Sequence, residues 1–293
     1  MIKLIASDMD GTLLNDKMAV SDRNIKAIKD AQKNGIEFII ATGRSLDEAK
    51  PFLKNRVHPG YITLNGAEVY DENEKLISSN PISETSKTKA INYLKEHKIY
   101  FEVITNKGIF SDNKDLRVSS LAELLVKLNP STTYEQALQD TLSRIKLTPM
   151  IFVDSYDKIL SDPSYKVMKL LAFSDKEKEV LAPLRKDIEE NINDVVVTSS
   201  SPNNVEINSI DAQKGIALLQ FAKDKNIAQE ETMAIGDNLN DESMIRDAGV
   251  GVAMKNAIPA ISELADIKTD NNINDGVAQI IEKVVEKAKK QNI

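Results

Sequence analysis

The stretch that decides the fold is MIKLIASDMDGTLL, residues 1–14. Its short apolar run, residues 2–7, is apolar on both faces, which is typical of a strand buried in a parallel sheet. Two carboxylates, Asp8 and Asp10, follow where that run ends. Residues i and i+2 of an extended segment point to the same side, so we expect both carboxylates to face one ligand.

Short apolar runs alternate with helical patterns in the first and last thirds of the chain. Further strands are predicted at residues 37–42, 61–66, 232–237 and 249–254, and helices at residues 22–34, 215–226, 241–248 and from Val277 onward. Strands that alternate with helices imply a parallel sheet with helices on both faces. The outer thirds therefore predict one α/β domain.

The middle of the chain has a different pattern, with more Ser, Thr, Lys and Asn and with a predicted hairpin at Asn106-Lys107-Gly108. We interpret it as an α+β domain inserted into the α/β domain. The expected boundaries are residues 1–82 and 208–293 for the α/β domain and residues 83–207 for the insertion.

Composition excludes several classes of protein. The chain has 293 residues, 41% of them hydrophobic, so it can bury a core. Its net charge of −7 and the lack of a basic stripe argue against a nucleic-acid partner. With no cysteine, disulfides and a cysteine nucleophile are excluded. No apolar run suits a signal peptide or a membrane span, so we expect a cytoplasmic protein without a membrane partner.

Polar residues follow four of the predicted strands at their carboxyl ends. They are Asp8, the triplet Thr42-Gly43-Arg44, the pair Asn65-Gly66 and the pair Gly236-Asp237. Ligands of open parallel sheets bind at that edge. Asp and Gly are also common turn residues, which would explain any one of these positions alone. Four together indicate a site.

We expect three or four carboxylates to converge on this edge, from the set Asp8, Asp10, Asp237 and Asp241. They would repel one another unless a cation lay among them. Oxygen donors without His or Cys favour a hard cation, and we expect Mg²⁺.

Donor groups at the same edge suit an anion. Thr42 and the Gly43 main-chain N–H can hold one, and Lys214 begins a helix, whose N-terminus also favours negative charge. A metal, a lysine, a hydroxyl and main-chain N–H groups are the parts of a phosphoryl-transfer site. An ionised carboxylate can act as nucleophile, and a second one can transfer the proton.

Four motifs carry a family resemblance. DMDGT, TGR, the lysine of AQKG and GDNLND, in this order, resemble those of the haloacid dehalogenase-like hydrolase superfamily. The flanking YITLNGAEVY and DAGVGVAMKNA are similar to the Cof-type sugar phosphatases. The resemblance implies a Rossmann-like α/β core with a parallel sheet, and an inserted α+β cap domain that selects the substrate.

The resemblance also implies roles for individual residues. Asp8 would be the nucleophile and Asp10 the general acid/base. Mg²⁺ would be held by Asp8, the main-chain carbonyl of Asp10 and Asp237, with Asp241 supporting the metal indirectly. The remaining residues would contact the phosphate or lie near the substrate: Thr42, Gly43, Lys214, Arg44, Asn65 and Asn240.

Simpler interpretations stay open for three of these residues. Asp241 could merely begin a helix, Arg44 could form a structural ion pair, and Asn65 could be a turn residue. One departure from the family pattern is Gln213, where a small hydroxyl residue is frequent before the lysine. It leaves the role of Lys214 intact but could alter a minor phosphate contact.

The sequence thus predicts a Mg²⁺-dependent phosphatase, a phosphoric monoester hydrolase that acts through an aspartyl-phosphate. The expected partner is a small-molecule phosphate ester, and a sugar phosphate is favoured over FMN or PLP. The expected assembly is a monomer or weak homodimer. A phosphosugar mutase, or a non-catalytic regulator that binds a phospholigand, would share this fold; Asp10 beside Asp8 argues against the regulator. A dinucleotide-binding oxidoreductase is disfavoured because no G-x-G-x-x-G follows the first strand.

Overall fold

The structure, a computed structural model, describes residues 1–128, 132–145, 150–174, 176–201 and 203–291. It divides into two compact units. The core unit comprises Met1–Asn80 and Asp211–Ile293, and the inserted unit comprises Pro81–Ile210.

The two units together contain fourteen described strands and eleven described α-helices. The strands are β1 (Leu4–Ser7), β2 (Glu37–Ala41), β3 (Gly60–Thr63), β4 (Glu68–Tyr70), β5 (Leu76–Ser79), β6 (Tyr100–Thr105), β7 (Gly108–Ser111), β8 (Met150–Phe152), β9 (Val167–Phe173), β10 (Val195–Thr198), β11 (Asn204–Ser209), β12 (Thr232–Gly236), β13 (Val250–Ala253) and β14 (Ile267–Lys268). The α-helices are α1 (Asp22–Lys33), α2 (Leu46–Ala49), α3 (Glu84–Glu96), α4 (Lys114–Leu128), α5 (Tyr134–Ile145), α6 (Asp157–Ser161), α7 (Ala182–Asn191), α8 (Lys214–Asp224), α9 (Glu242–Asp247), α10 (Pro259–Leu264) and α11 (Gly276–Gln291). Among the helices within these ranges, none combines the length and the apolar character needed to cross a lipid bilayer.

The core unit is built on an eight-stranded sheet in the order β14-β13-β12-β1-β2-β3-β4-β5. Every pair from β14 to β3 is parallel, and β1 lies between β12 and β2. The carboxyl ends of these strands therefore share one edge of the sheet. The predicted α/β fold with a parallel sheet is confirmed.

Apolar layers cover both faces of this sheet, as a parallel sheet requires. Ile5 of β1 belongs to a cluster with residues of α1 and α11. Its neighbours Leu4 and Ala6 point the other way, into a cluster with residues of α8, α9 and α10. The alternation along a single strand explains why Leu4, Ile5 and Ala6 are all apolar.

One edge of the sheet departs from the parallel pattern. Strands β4 and β5 form a hairpin that adds to β3 in antiparallel orientation. A strand is predicted through residues 61–66, but β3 ends at Thr63. A turn replaces its last part and reverses the chain into β4.

That turn holds three successive residues in the left-handed region: Leu64 (φ 50°), Asn65 (φ 61°) and Gly66 (φ 106°). A Cβ on Gly66 would lie 2.7 Å from the carbonyl oxygen of Gln213. The turn thus packs directly against the main chain that leads into α8. Glycine is needed both for the backbone angle and for this close approach.

The first turn of α8 receives its cap from another helix. The side chain of Gln213 makes no capping bond. Instead, the main-chain N–H of Gly215 donates to Ser243 Oγ of α9 at 3.0 Å. A Cβ on Gly215 would lie 2.5 Å from the Ser243 carbonyl oxygen, so the two helices meet without space between them. Ser243 therefore supplies the acceptor that caps the start of α8.

The inserted unit contains a six-stranded sheet in the order β10-β11-β9-β6-β7-β8. Its pairs are antiparallel except for β7 with β8, and the predicted hairpin at Asn106 joins β6 to β7. One face is apolar and packs against α3 and α7. The other face carries charged residues, among them the ion pair of Lys169 with Glu206, whose Nζ and Oε1 are 3.6 Å apart.

The close approach at Gly66 generates a stability prediction. We expect Gly66→Ala to lower the free energy of unfolding by more than the ~1–2 kcal/mol typical of left-handed strain alone, because the Gln213 main chain must also move. Gly35 (φ 74°) is the matched control, since a Cβ there meets no atom within 4 Å. Urea unfolding of Gly66→Ala and Gly35→Ala measures the loss of unfolding free energy in each. Equal losses would contradict the packing argument.

Candidate active site

The centre of the site is Lys214, the first residue of α8. Its side chain is 0% exposed, and its Nζ donates to Asp8 Oδ1 at 2.7 Å and to Asp241 Oδ1 at 2.6 Å. Asp8 directly follows the central strand β1, where its main-chain N–H donates to the Ile235 carbonyl of β12 at 2.9 Å. The lysine thus joins the end of β1 to the loop that follows β12.

Asp241 organises that loop through its second oxygen. Oδ2 accepts from the main-chain N–H groups of Asp237 at 2.8 Å and Asn238 at 3.0 Å. A Cβ on Gly236 would lie 2.5 Å from the Asp241 Cγ, so the loop closes tightly over this carboxylate. Asp241 does immediately precede α9, but its bonds go to the lysine and the loop.

Asp237 is held by Thr12, which lies in the turn after β1. The Thr12 Oγ donates to Asp237 Oδ1 at 2.7 Å. Gly11, with φ 79°, turns the chain between Asp10 and Thr12, and a Cβ there would lie 2.4 Å from Asp237 Oδ2. The glycine of DMDGT therefore makes room for the Asp237 carboxylate.

Asp8, Lys214, Asp237 and Asp241 form a carboxylate–lysine cluster with more negative than positive charge. Burial and then the charge of Asp241 raise the pKa of Asp8 well above its usual value. The same two causes raise the pKa of Asp237 to about 7. Burial alone would lower the pKa of Lys214, but Asp241 and Asp8 outweigh it and raise that pKa. The cluster therefore favours the charged form of Lys214 and disfavours the ionised forms of Asp8 and Asp237.

This cluster fits a divalent cation. Carboxylate oxygens of Asp8, Asp237 and Asp241 all lie within 4.8 Å of one another, and all three residues are buried. Three carboxylates stand against one lysine, so the cluster has an excess of negative charge; burial first, and then the charge of Asp241, raises the pKa of Asp8 and of Asp237. A hard cation with oxygen preference would offset that excess.

Asp10 is engaged elsewhere. Strand β1 ends at Ser7, and both Asp8 and Asp10 lie in the irregular turn that follows, so the rule for extended segments does not position them. Asp10 accepts two bonds from Arg44, Nε to Oδ2 and Nη2 to Oδ1, both of 2.7 Å. Arg44 thus does form an ion pair, and its partner, Asp10, is itself a candidate site residue.

Thr42, Asn65 and Asn240 are buried polar residues of the core unit that hydrogen bonds connect. The Thr42 Oγ accepts from the Arg44 main-chain N–H at 3.2 Å, and its carbonyl accepts from the Asn65 N–H at 3.0 Å. Asn240 Nδ2 donates to Asn65 Oδ1 at 3.3 Å. Gly43 lies in the bend between Thr42 and Arg44. Asn65 is a left-handed turn residue and also the partner of Asn240.

The structure therefore joins the predicted residues Asp8, Lys214, Asp237 and Asp241 in one hydrogen-bonded network. A second network contains Asp10, Arg44, Thr42, Asn65 and Asn240. Sequence reasoning missed two supporting hydroxyl groups, those of Thr12 and Ser243. Thr12 stands inside the quoted DMDGT, but a threonine after a glycine gives no indication that it will bond a residue 225 positions later. Ser243 has no signal of its own, because it caps a helix to which it does not belong.

Comparison with known proteins identifies the family. The sequence matches the haloacid dehalogenase-like hydrolase family over residues 5–281. It is 32% identical to phosphatase YwpJ of Bacillus subtilis, across 96% of this chain and 99% of that protein. It is 33% identical to the 5-amino-6-(5-phospho-D-ribitylamino)uracil phosphatase YcsE of the same organism, across 96% of this chain and 94% of that protein.

Solved structures agree with this assignment. A haloacid dehalogenase-like hydrolase from B. subtilis superposes with a TM-score of 0.86 at 31% identity, covering 96% of this chain and 99% of that one. The predicted enzyme class, a phosphoric monoester hydrolase, is confirmed by these relatives. The chain belongs to the haloacid dehalogenase-like hydrolase family.

Proposed function

We propose that the protein is a Mg²⁺-dependent phosphatase that hydrolyses phosphate monoesters of small metabolites through an aspartyl-phosphate on Asp8. The observation that carries the proposal is the fully buried Lys214 between Asp8 and Asp241. A charged lysine buried against two carboxylates is expensive for stability, which favours a functional reason for its presence.

In the first half of the reaction, an Asp8 carboxylate oxygen attacks the phosphorus atom. A bond forms between that oxygen and phosphorus, and the bond from phosphorus to the leaving oxygen breaks. Asp10 gives its proton to the leaving oxygen, which departs as an alcohol. Proton transfer of this kind contributes typically ~10²–10⁴-fold to the rate.

In the second half, Asp10 accepts a proton from water as the water oxygen attacks phosphorus. The bond between phosphorus and Asp8 breaks, and inorganic phosphate leaves. Asp10 is protonated again and Asp8 is again a carboxylate, so the cycle closes without any other reactant.

Charge stabilisation comes from fixed groups of the core unit. Lys214 already contacts Asp8, so its ammonium group lies beside the oxygen that receives the phosphoryl group. The Thr42 hydroxyl accepts from the Arg44 N–H and keeps its own proton to donate to a phosphate oxygen. The Gly43 N–H is the main-chain donor assigned to the same phosphate.

Mg²⁺ would be held by Asp8, Asp237 and the Asp10 main-chain carbonyl, and it would supply charge neutralisation for the phosphate. Thr12 keeps the Asp237 carboxylate in place. Asp241 contributes indirectly, since both of its oxygens already bond to Lys214 and to the main chain.

For the substrate, we propose a sugar or polyol phosphate in preference to FMN or PLP. The name of the relative YcsE specifies a substrate with a phosphorylated ribityl chain, which is a polyol phosphate. We assign residues 83–207 the role of a cap that selects the leaving group.

The central test is phosphate release from sugar phosphates, p-nitrophenyl phosphate, FMN and PLP with Mg²⁺. We expect Asp8→Asn to lower kcat by roughly 10⁴-fold or more while the protein stays folded, because the change is nearly isosteric and removes the nucleophile. Circular dichroism checks the fold.

The same Asp-to-Asn change at the exposed Asp22 of α1 is the control and should leave kcat unchanged. Turnover retained in Asp8→Asn would rule out the covalent mechanism. Phosphoryl transfer to a second sugar instead of water would identify a mutase.

Metal and pH should act together on stability. Asp8 and Asp237 have raised pKa values, so the folded protein binds their protons more tightly than the unfolded chain does. Their contribution is favourable at low pH and is lost as pH rises through about 7, the pKa of Asp237. In EDTA, we therefore expect Tm to fall as pH rises through that region.

Added Mg²⁺ should raise Tm more above this region than below it, because only the ionised cluster attracts the cation. Thermal unfolding with Mg²⁺ or EDTA on each side of neutrality provides the measurement. Asp237→Asn should weaken both the pH dependence and the Mg²⁺ response. A Mg²⁺ effect independent of pH would contradict the assignment of the cation to this cluster.

A further inference from the structure

Arg44 grips both oxygens of the Asp10 carboxylate. The two bonds, Nε to Oδ2 and Nη2 to Oδ1, are each 2.7 Å long. This is the planar fork that a guanidinium group forms with a carboxylate, and it sets orientation as well as distance. The family resemblance implies that Arg44 lies near the substrate, but in the structure its side chain bonds to Asp10.

Arg44 is itself held at both its side chain and its main chain. The guanidinium carbon lies 4.9 Å from the centroid of the Phe52 ring. The main-chain N–H donates to Thr42 Oγ at 3.2 Å, and the carbonyl accepts from the Leu64 N–H at 3.0 Å. The arginine is therefore a fixed support and not a mobile surface side chain.

The fork adds little to stability. The Asp10 side chain is 46% exposed and that of Arg44 is 26% exposed. Ion pairs at such exposure contribute about 0–1 kcal/mol. Asp10 also precedes Gly11, whose positive φ marks a turn, so no regular strand or helix fixes its direction. The fork supplies the orientation that secondary structure does not.

We propose that Arg44 is a positioning residue for Asp10, and that it acts on the proton transfer and not on the phosphate. This inference rests on the proposed function, in which Asp10 gives a proton to the leaving oxygen. A carboxylate has about four lone-pair sites, and the fork uses two of them. The other two stay available for the proton while the plane of the carboxylate is fixed.

The consequence depends on the leaving group. An alkoxide from a sugar phosphate leaves poorly without a proton, whereas p-nitrophenolate leaves readily as an anion. The ratio kcat/KM reports only steps up to the first irreversible one, here phosphoryl transfer to Asp8, so it excludes the later water attack. Misplacing Asp10 should lower kcat/KM for the sugar phosphate far more than for p-nitrophenyl phosphate.

The experiment compares Arg44→Gln, Arg44→Lys, Asp10→Asn and the double variant Arg44→Gln with Asp10→Asn. We expect Arg44→Gln to lower kcat/KM by roughly 10- to 100-fold with the best sugar phosphate, a part of what a general acid contributes. With p-nitrophenyl phosphate, the loss should stay within about 3-fold. Arg44→Lys should not restore the rate, because an ammonium group cannot form the fork.

Two further readouts separate positioning from phosphate binding. Inhibition by inorganic phosphate should be the same in Arg44→Gln and in the unchanged protein. The double variant should be no slower than Asp10→Asn, since Arg44 acts only through Asp10.

The matched control is Arg23→Gln. Arg23 forms the same fork with Glu282, through bonds of 3.0 and 2.8 Å, and the Glu282 side chain is 45% exposed. Arg23 lies on α1 and Glu282 lies on α11, and both are outside the site. This variant removes an equivalent surface ion pair and should leave both substrates unaffected.

The outcomes distinguish this inference from the proposed function. Equal losses with both substrates, together with weaker inhibition by phosphate, would make Arg44 a phosphate ligand and overturn the inference while the phosphatase assignment stands. An additional loss in the double variant would also overturn it. A protein that releases phosphate from no ester would overturn the proposed function and this inference with it.

Discussion

The burial of Lys214 between Asp8 and Asp241 is the constraint on which the rest of the core unit depends. Removing an ammonium group from water costs several kcal/mol, and only close carboxylates make such a position tenable. The lysine must therefore stand at a fixed point relative to β1 and to the loop after β12. The tight contacts at Gly66 and Gly215 hold the start of α8 at that point.

The same cluster is a source of strain. Its carboxylates outnumber the lysine, and burial together with the charge of Asp241 raises the pKa of Asp8 and of Asp237. A sequence selected for stability alone would replace this group by apolar residues of similar volume. The protein instead keeps a poorly balanced charge group at the edge of a well-packed sheet. Sites that bind charged ligands typically keep such unfavourable charge arrangements at a cost in stability.

Much of the core unit could be predicted because its signals are local. The strands before Asp8 and Asp237 are continuous apolar runs, and parallel strands bring their carboxyl ends to one edge, so the convergence of Asp8, Lys214 and Asp237 follows from topology. The hairpin of β4 and β5 is harder to predict from sequence, since strands of three and four residues carry little periodicity. Helix and strand ends differ from the predicted ones by at most three residues, where turns compete with continued pairing.

Side-chain partners could not be predicted in the same way. The pairing of Arg44 with Asp10 depends on the turn at Gly11 and on the Phe52 ring, which are brought together only by the fold. The capping of Gly215 by Ser243 likewise crosses between two helices. Sequence patterns report which residues reach the edge of the sheet, whereas the hydrogen bonds among them follow from three-dimensional packing.

The position of β1 in the sheet has a consequence for the order of assembly. Leu4 pairs with Thr232, whereas its other neighbour, Glu37, is close in sequence. During synthesis the first strand can pair early with β2, but its other edge stays open until more than two hundred further residues have emerged. At ~5–20 residues per second that is a delay of about 10–50 seconds. An unfinished chain cannot yet contain the site, and its exposed strand edge is a place where a chaperone would be useful.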